Sequence, residues 1–169
     1  MDTTERLFRE YHQPLVRYLT RRLGDRDWAE EVAQETFLRA LRQEKIESER
    51  AWLFAVATNL VRDEARKDAR RRRHLELLRA EAEANEAVEP ISLERNEEME
   101  LAREALMRVP ERDRAALLMK EEGLSYDEIA LALNLSVGSI GTTLSRARRK
   151  LVEVYEALQV ERTRGHAAS

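Results

Sequence analysis

Leu124 to Leu151, LSYDEIALALNLSVGSIGTTLSRARRKL, carries the residue types that hold a nucleic-acid duplex: a helix face of small and polar residues followed by Arg146, Arg148, Arg149 and Lys150. Cationic side chains neutralise backbone phosphates, and small residues near a helix N-terminus let the backbone approach base edges. Projection at about 100° per residue gathers Ile140, Leu144, Ala147 and Leu151 into one apolar stripe. Gly138, Ser139, Thr142, Ser145, Arg146 and Arg149 point away from it. A second basic array lies earlier, where Thr58, Asn59, Arg62, Arg66, Arg70 and Arg73 share one helix face. Its arginines suit phosphates, and the Asn59 amide offers a donor and an acceptor to a base edge. Trp28 and Trp52 have the rings to stack on unpaired bases, although a tryptophan at a helix start also packs on its own core. A third set, Glu31, Gln34, Glu35 and Leu38, places an apolar anchor inside a polar rim, the composition of a small protein-binding patch. By itself that set also describes a solvated face with one exposed leucine. Catalysis has no comparable support: there is no Gly-rich phosphate loop, no nucleophile beside a base and no Glu-x-x-His pair of a helical di-metal site. With no Cys, and with His12, His74 and His166 far apart, neither a metal nor a cofactor is expected.

These residues need helices to position them. In the C-terminal run, Ser125 and Glu128 form a capping box that starts a helix reaching about Leu133. Asn134 suits a left-handed turn, and Ser136 caps the next helix, which gives a helix-turn-helix with a three-residue turn. Such pairs also occur in purely structural bundles. At the other end, a first helix should run from Thr3 or Thr4 to about Leu23 and close at Gly24, with a kink or break near His12 to Pro14. Asp27 and Glu30 suggest a capped second helix from Trp28 to about Arg42, with Ala29, Val32, Ala33, Thr36, Phe37 and Ala40 inward. A third helix from about Arg50 to Arg73 should bury Leu53, Val56, Ala57 and Leu60. Near Met99 another unit begins, with Leu101, Ala102, Ala105, Leu106 and Val109 facing inward, and Pro110 opens its second helix, which ends at Gly123.

The expected fold is therefore all-α: two small helical domains joined by a linker, the second a helix-turn-helix. The boundaries read as 1–74, a linker over 75–98, a second domain over 99–160 and a flexible tail over 161–169. Few Gly and Pro, 5 and 3 in 169 residues, with 37% charged residues, agree with helix almost throughout. The net charge of -3 argues at first against nucleic acid, but its distribution matters more. Arg62 to Arg73 holds seven basic and three acidic residues, a net of +4, whereas Glu76 to Glu100 holds nine acidic and two basic, a net of -7. Two basic surfaces thus flank an acidic bridge. No signal-peptide pattern or bilayer-length apolar run is present, so a cytoplasmic protein without membrane insertion is expected.

Three pieces in order, AEEVAQETFLRAL, AWLFAVATNLVRDEARKDARRRR and LMRVPERDRAALLMKEEGLSYDEIALALNLSVGSIGTTLSRARRKL, resemble the extracytoplasmic-function group of bacterial sigma-70 factors over most of residues 5 to 155. The resemblance implies a promoter-specificity subunit without chemistry of its own. Its partners would be promoter DNA, core RNA polymerase through the clamp helices of the largest subunit with a flap contact by the C-terminal domain, and an anti-sigma factor. Position by position, Glu31, Gln34, Glu35 and Leu38 become the polymerase-facing set. Gln43 to Glu49, with Lys45 and Ile46, resembles the loop that holds a base flipped from the non-template strand. Trp52 and Asn59 fall toward the minus-10 strand, and Arg62, Arg66 and Arg70 toward its phosphates. Gly138, Ser139, Thr142, Ser145, Arg146 and Arg149 become the minus-35 face.

The recognition helix departs from the pattern VGTVKSRLSRAR, because Gly141 and Thr143 stand at the Lys and Arg positions. Loss of two phosphate contacts would lower the salt slope by roughly two units. Gly141 should cost the helix about 1 kcal/mol relative to Ala. The sequence leaves two rivals open: a dimeric helix-turn-helix regulator, which would bind duplex DNA tightly without polymerase, and a helical adaptor, which would bind none.

Overall fold

The computed structural model describes residues 2–66, 76 and 93–167, and among these every regular element is an α-helix. They are α1 (Thr3–Leu23), α2 (Arg26–Leu41), α3 (Glu49–Arg66), α4 (Leu93–Met107), α5 (Glu111–Glu121), α6 (Tyr126–Leu133) and α7 (Val137–Ala167). Of the expected linker, residues 75 and 77–92 fall outside the described residues, as do Arg70, Arg73 and the side chain of Arg66, and 93–98 belong to α4.

Local signals explain most of the helix ends. Gly24 (φ 72°) and Asn134 (φ 55°) adopt the left-handed conformation that stops α1 and α6. Ser125 Oγ accepts from the Glu128 amide while Glu128 accepts from the Ser125 amide, so the capping box is complete. The second helix begins earlier than Asp27 suggests: Asp25 is the cap and accepts from the amides of Asp27 and Trp28. Proline does not break α1, which continues through Pro14 because Leu7 before it and Leu15, Val16, Tyr18 and Leu19 after it are all buried in one core. Packing there outweighs one missing backbone hydrogen bond.

In the first domain α1, α2 and α3 enclose Leu15, Leu19, Val32, Phe37, Leu53, Phe54 and Ala57. The inward face expected of α2 is wholly buried. On α3, Val56 is only partly covered, and Phe54 and Val61 join the core. Thr58, expected on the exposed basic stripe, is 1% exposed and exchanges a 2.8 Å hydrogen bond with the Tyr18 hydroxyl, so its polar group is satisfied inside.

The first helix of the second domain, α4, is already helical at Leu93, and Ala102 faces solvent instead of the core. Its final helix passes through the expected flexible tail to Ala167, where Arg162 donates to the Glu97 carbonyl at 3.0 Å and pairs with its carboxylate. Leu101, Ala105 and Leu158 form a small core of their own between α4 and the far half of α7.

The two domains pack on each other. Met119, Leu124, Ile129, Ile140 and Leu144 of the second domain belong to the same buried cluster as Leu15, Phe54 and Ala57, with α6 against α3 and α5 against α1.

Candidate nucleic-acid and polymerase interface

On α2 the core side chains occupy one face, which forces Glu31, Gln34 and Leu38 outward with Glu35 at the margin. Leu38 is 46% exposed, and Leu41, one turn on, is 55% exposed, although sequence reasoning did not single it out. Its i, i+3 spacing from Leu38 was the available signal. Two leucines within charged and amide neighbours widen the apolar anchor of this patch.

The loop after α2 leaves Lys45 exposed, while Ile46 packs partly against the first-domain core. Trp52 likewise lies against that core, and the Trp28 indole N–H donates to Glu64 at 2.6 Å. Neither ring is presented whole to a base, which favours the packing role for both. Asn59 is exposed beside buried Thr58 and Leu60, and Arg62, one turn on, is half-buried and pairs with Glu111 of α5 at 3.6 Å. The exposed amide and this arginine are the described part of the expected minus-10 face.

In the helix-turn-helix, α6 and α7 are joined by Asn134, Leu135 and Ser136. Ile140, Leu144 and Ala147 are fully buried, which turns Gly138, Thr142, Ser145, Arg146 and Arg149 outward with Ser139 partly covered. The Ser136 carbonyl accepts from both the amide and the hydroxyl of Ser139. One residue on this face does more than the sequence suggested. Arg146 donates Nε and Nη2 to the two oxygens of Asp113 at 2.9 and 2.8 Å, and Asp113 is 4% exposed. The carboxylate raises the guanidinium's hold on its proton, first by hydrogen bonding and then by charge. A planar fork gripped on one edge has fewer orientations, so Arg146 is braced to α5 with Nη1 left outside the pairing.

The departures from the basic pattern have structural places. A Cβ on Gly141 would meet only Tyr126 Cε2, at 3.8 Å, so nothing there requires glycine. Thr143 is 5% exposed and donates to the Ser139 carbonyl at 2.8 Å. A long basic side chain there would have to leave a buried position.

Among the described residues no group of His, Asp and Glu could hold a metal, and no helix is long and apolar enough to cross a membrane. A hollow of about 210 Å³ lies between α4 and the end of α7, lined by Glu97, Leu101, Arg162 and His166.

Residues 7–71 match the family description "Sigma-70 region 2", and residues 99–151 match "Sigma-70, region 4". The RNA polymerase sigma factor YlaC of Bacillus subtilis is 31% identical, over 89% of this chain and 90% of its own. The ECF RNA polymerase sigma factor EcfG of Rhodopseudomonas palustris is 36% identical, over 76% of this chain and 71% of its own. The fold is similar to that of the sigma factor RpoE solved with the anti-sigma factor NepR from Bartonella quintana, with a TM-score of 0.60 and 22% identity over 88% of this chain and 95% of that one. Two regions in this order on this fold, with relatives above 30% identity matched over most of their length, leave neither the dimeric regulator nor the adaptor standing: the chain belongs to the extracytoplasmic-function group of the sigma-70 family of RNA polymerase sigma factors.

Proposed function

We propose that this sigma factor divides its work among three faces, with residues 1–74 gripping polymerase and the minus-10 element and residues 99–160 reading the minus-35 element. Leu38, with Leu41 beside it, docks on the clamp helices of the polymerase largest subunit, and Glu31, Gln34 and Glu35 set the orientation through polar contacts. Lys45 and Ile46 border the pocket for a base drawn from the non-template strand, and Asn59 reads the exposed strand. Arg62, Arg66 and Arg70 track its phosphates, and Trp52 supports the helix from below. On α7, Gly138, Ser139, Thr142 and Ser145 approach the base edges, Arg146 reads from a braced position, and Arg149 holds phosphate. The C-terminal domain also contacts the polymerase flap, and an anti-sigma factor restrains the chain in the cytoplasm until it is needed. The chemistry of RNA synthesis belongs to polymerase, and no cofactor enters.

The observation that carries this reading is the outward placement of each set: burial of the apolar stripes of α2 and α7 leaves Leu38 and Arg149 on exposed surface. The division is tested by assembling holoenzyme with Leu38→Asp and Arg149→Ala variants and scoring polymerase binding and promoter retention separately. Leu38→Asp should abolish polymerase binding, and Arg149→Ala should leave it intact while weakening promoter retention. Loss of both steps in both variants would refute the division.

A further inference from the structure

The outward stripe of α7 continues past Arg149. Gly138, Thr142, Ser145 and Arg149 follow one another at steps of four, three and four residues, and the next two steps along the same face, four and three residues, bring Glu153 and then Glu156. All six positions are exposed. The face thus passes from small residues to a cation to two carboxylates. Over the whole helix the signs separate in the same order. From Val137 to Leu151 there are Arg146, Arg148, Arg149 and Lys150 and no acidic residue, whereas from Val152 to Glu161 there are Glu153, Glu156 and Glu161 and no basic one. Among the described residues neither Glu153 nor Glu156 is drawn into an ion pair.

The acidic half of α7 is held as firmly as the reading half. Behind the reading face Ile140, Leu144 and Ala147 are buried; behind the acidic one Leu158 is buried against Leu101 and Ala105, and Arg162 donates to the Glu97 carbonyl at 3.0 Å. One unbroken helix therefore fixes Glu153 about 6 Å and Glu156 about 10 Å along the axis from Arg149. Its 31 residues span about 46 Å, while the major groove is about 12 Å wide. A recognition helix enters with its N-terminal residues on the base edges. With Gly138 to Ser145 in the groove and Arg149 at its wall, the acidic turns stand clear of the duplex. A complex held by phosphates alone has no such entry angle, and a helix lying along the backbone brings both carboxylates against phosphate.

We propose that Glu153 and Glu156 are specificity-determining residues of the minus-35 face: they repel phosphate in every pose other than N-terminal entry into the groove, and so widen the gap between promoter and random DNA. The inference rests on the reading of α7 as the minus-35 helix. Specificity is a difference of affinities, and a repulsive group that meets only the wrong complex raises it without any contact to the right one. The repulsion reaches about 8 Å at physiological salt, which covers the turn between Arg149 and Glu153.

The test uses the full chain with core polymerase on a genomic fragment that the wild-type chain switches on in run-off transcription, with a random-sequence duplex as competitor. Glu153→Gln with Glu156→Gln neutralises the pair. Glu100→Gln with Glu161→Gln, at exposed positions off the stripe, makes the same change in net charge. Gln and Glu have similar helix propensity, so thermal unfolding should not move in either double variant. The stripe variant should bind the random duplex about fivefold more tightly in the absence of polymerase at low salt, a gain that fades as salt is raised. In holoenzyme it should need about threefold less competitor to halve run-off, while the off-stripe variant behaves as wild type. Unchanged competition, promoter and random affinities raised by the same factor, or an equal effect of the off-stripe variant would each overturn the inference. If no fragment responds to the wild-type chain, the minus-35 reading falls and the inference with it; a fragment that responds with unchanged competition overturns the inference alone.

Discussion

Replacing Arg50 by Gln removes the most strongly bonded cation between the domains, and the cost follows from the state of its partner. Glu128 accepts two hydrogen bonds from Arg50 and one from the Ser125 amide, which hold its carboxyl at about 2 instead of the ordinary 4.5, against the opposing effect of burial. At about 1.4 kcal/mol per unit the ceiling is about 3 kcal/mol. A quarter of the Glu128 side chain remains in water (24%), and the Ser125 bond survives the substitution, so Arg50→Gln should cost about 1 to 1.5 kcal/mol at pH 7. The carboxyl is depressed on folding, so its contribution is complete above pH 4.5 and disappears as pH falls toward 2. Urea unfolding of wild type, Arg50→Gln, Glu128→Gln and the double variant between pH 2.5 and 7 measures the coupling; glutamine at 128 keeps the capping box. A coupling of about 1 kcal/mol at pH 7 that shrinks below pH 4 is expected. A coupling near zero, or one independent of pH, would refute the reasoning.

Further outcomes follow from the two proposed DNA faces and the proposed polymerase patch. Gly141→Lys should stabilise α7 by somewhat under 1 kcal/mol and raise the salt slope of minus-35 duplex binding by about one unit, because its Cβ meets only a van der Waals neighbour; thermal unfolding and binding titrations at several salt concentrations measure both. Arg149→Ala should lower that slope by about one unit across sequences. Asp113→Asn weakens the brace on Arg146 and should lower stability in urea unfolding, with discrimination reduced at one base position of the minus-35 element in a binding screen. Leu41→Asp should weaken holoenzyme formation at least tenfold with unfolding stability changed by less than about 0.5 kcal/mol, since the residue is 55% exposed.

What the sequence made legible was local. The Ser125–Glu128 box, the left-handed Asn134 and the stripe of Ile140, Leu144 and Ala147 depend on residues within a few turns and stand as expected, whereas Leu151, the last of the expected stripe, is only half-buried and packs on the smaller cluster of Leu101, Ala105 and Leu158. So does the division of α2 into a buried and an exposed face, which follows from helical period alone. Where distant residues decide, the reading slipped. Pro14 is absorbed because the core grips α1 on both sides of it, and Thr58 turns inward because Tyr18, 40 residues away, supplies a hydroxyl. Arg146 looked like a free recognition arginine until Asp113, 33 residues away, took one edge of its fork. Least legible was the docking of the domains, whose ion pairs link residues 78, 89 and 105 apart. Charge counting showed two basic segments around an acidic one, but no periodicity reports which glutamate meets which arginine.

Run-off transcription from genomic fragments, comparing core RNA polymerase alone with core plus this chain and mapping the 5′ ends, tests the central claim most directly. Chain-dependent starts that share upstream motifs at fixed spacing are the predicted result, reduced by Leu38→Asp and by Arg149→Ala. A competent core enzyme that gains no new starts, while the chain alone retains specific duplex fragments, would contradict it.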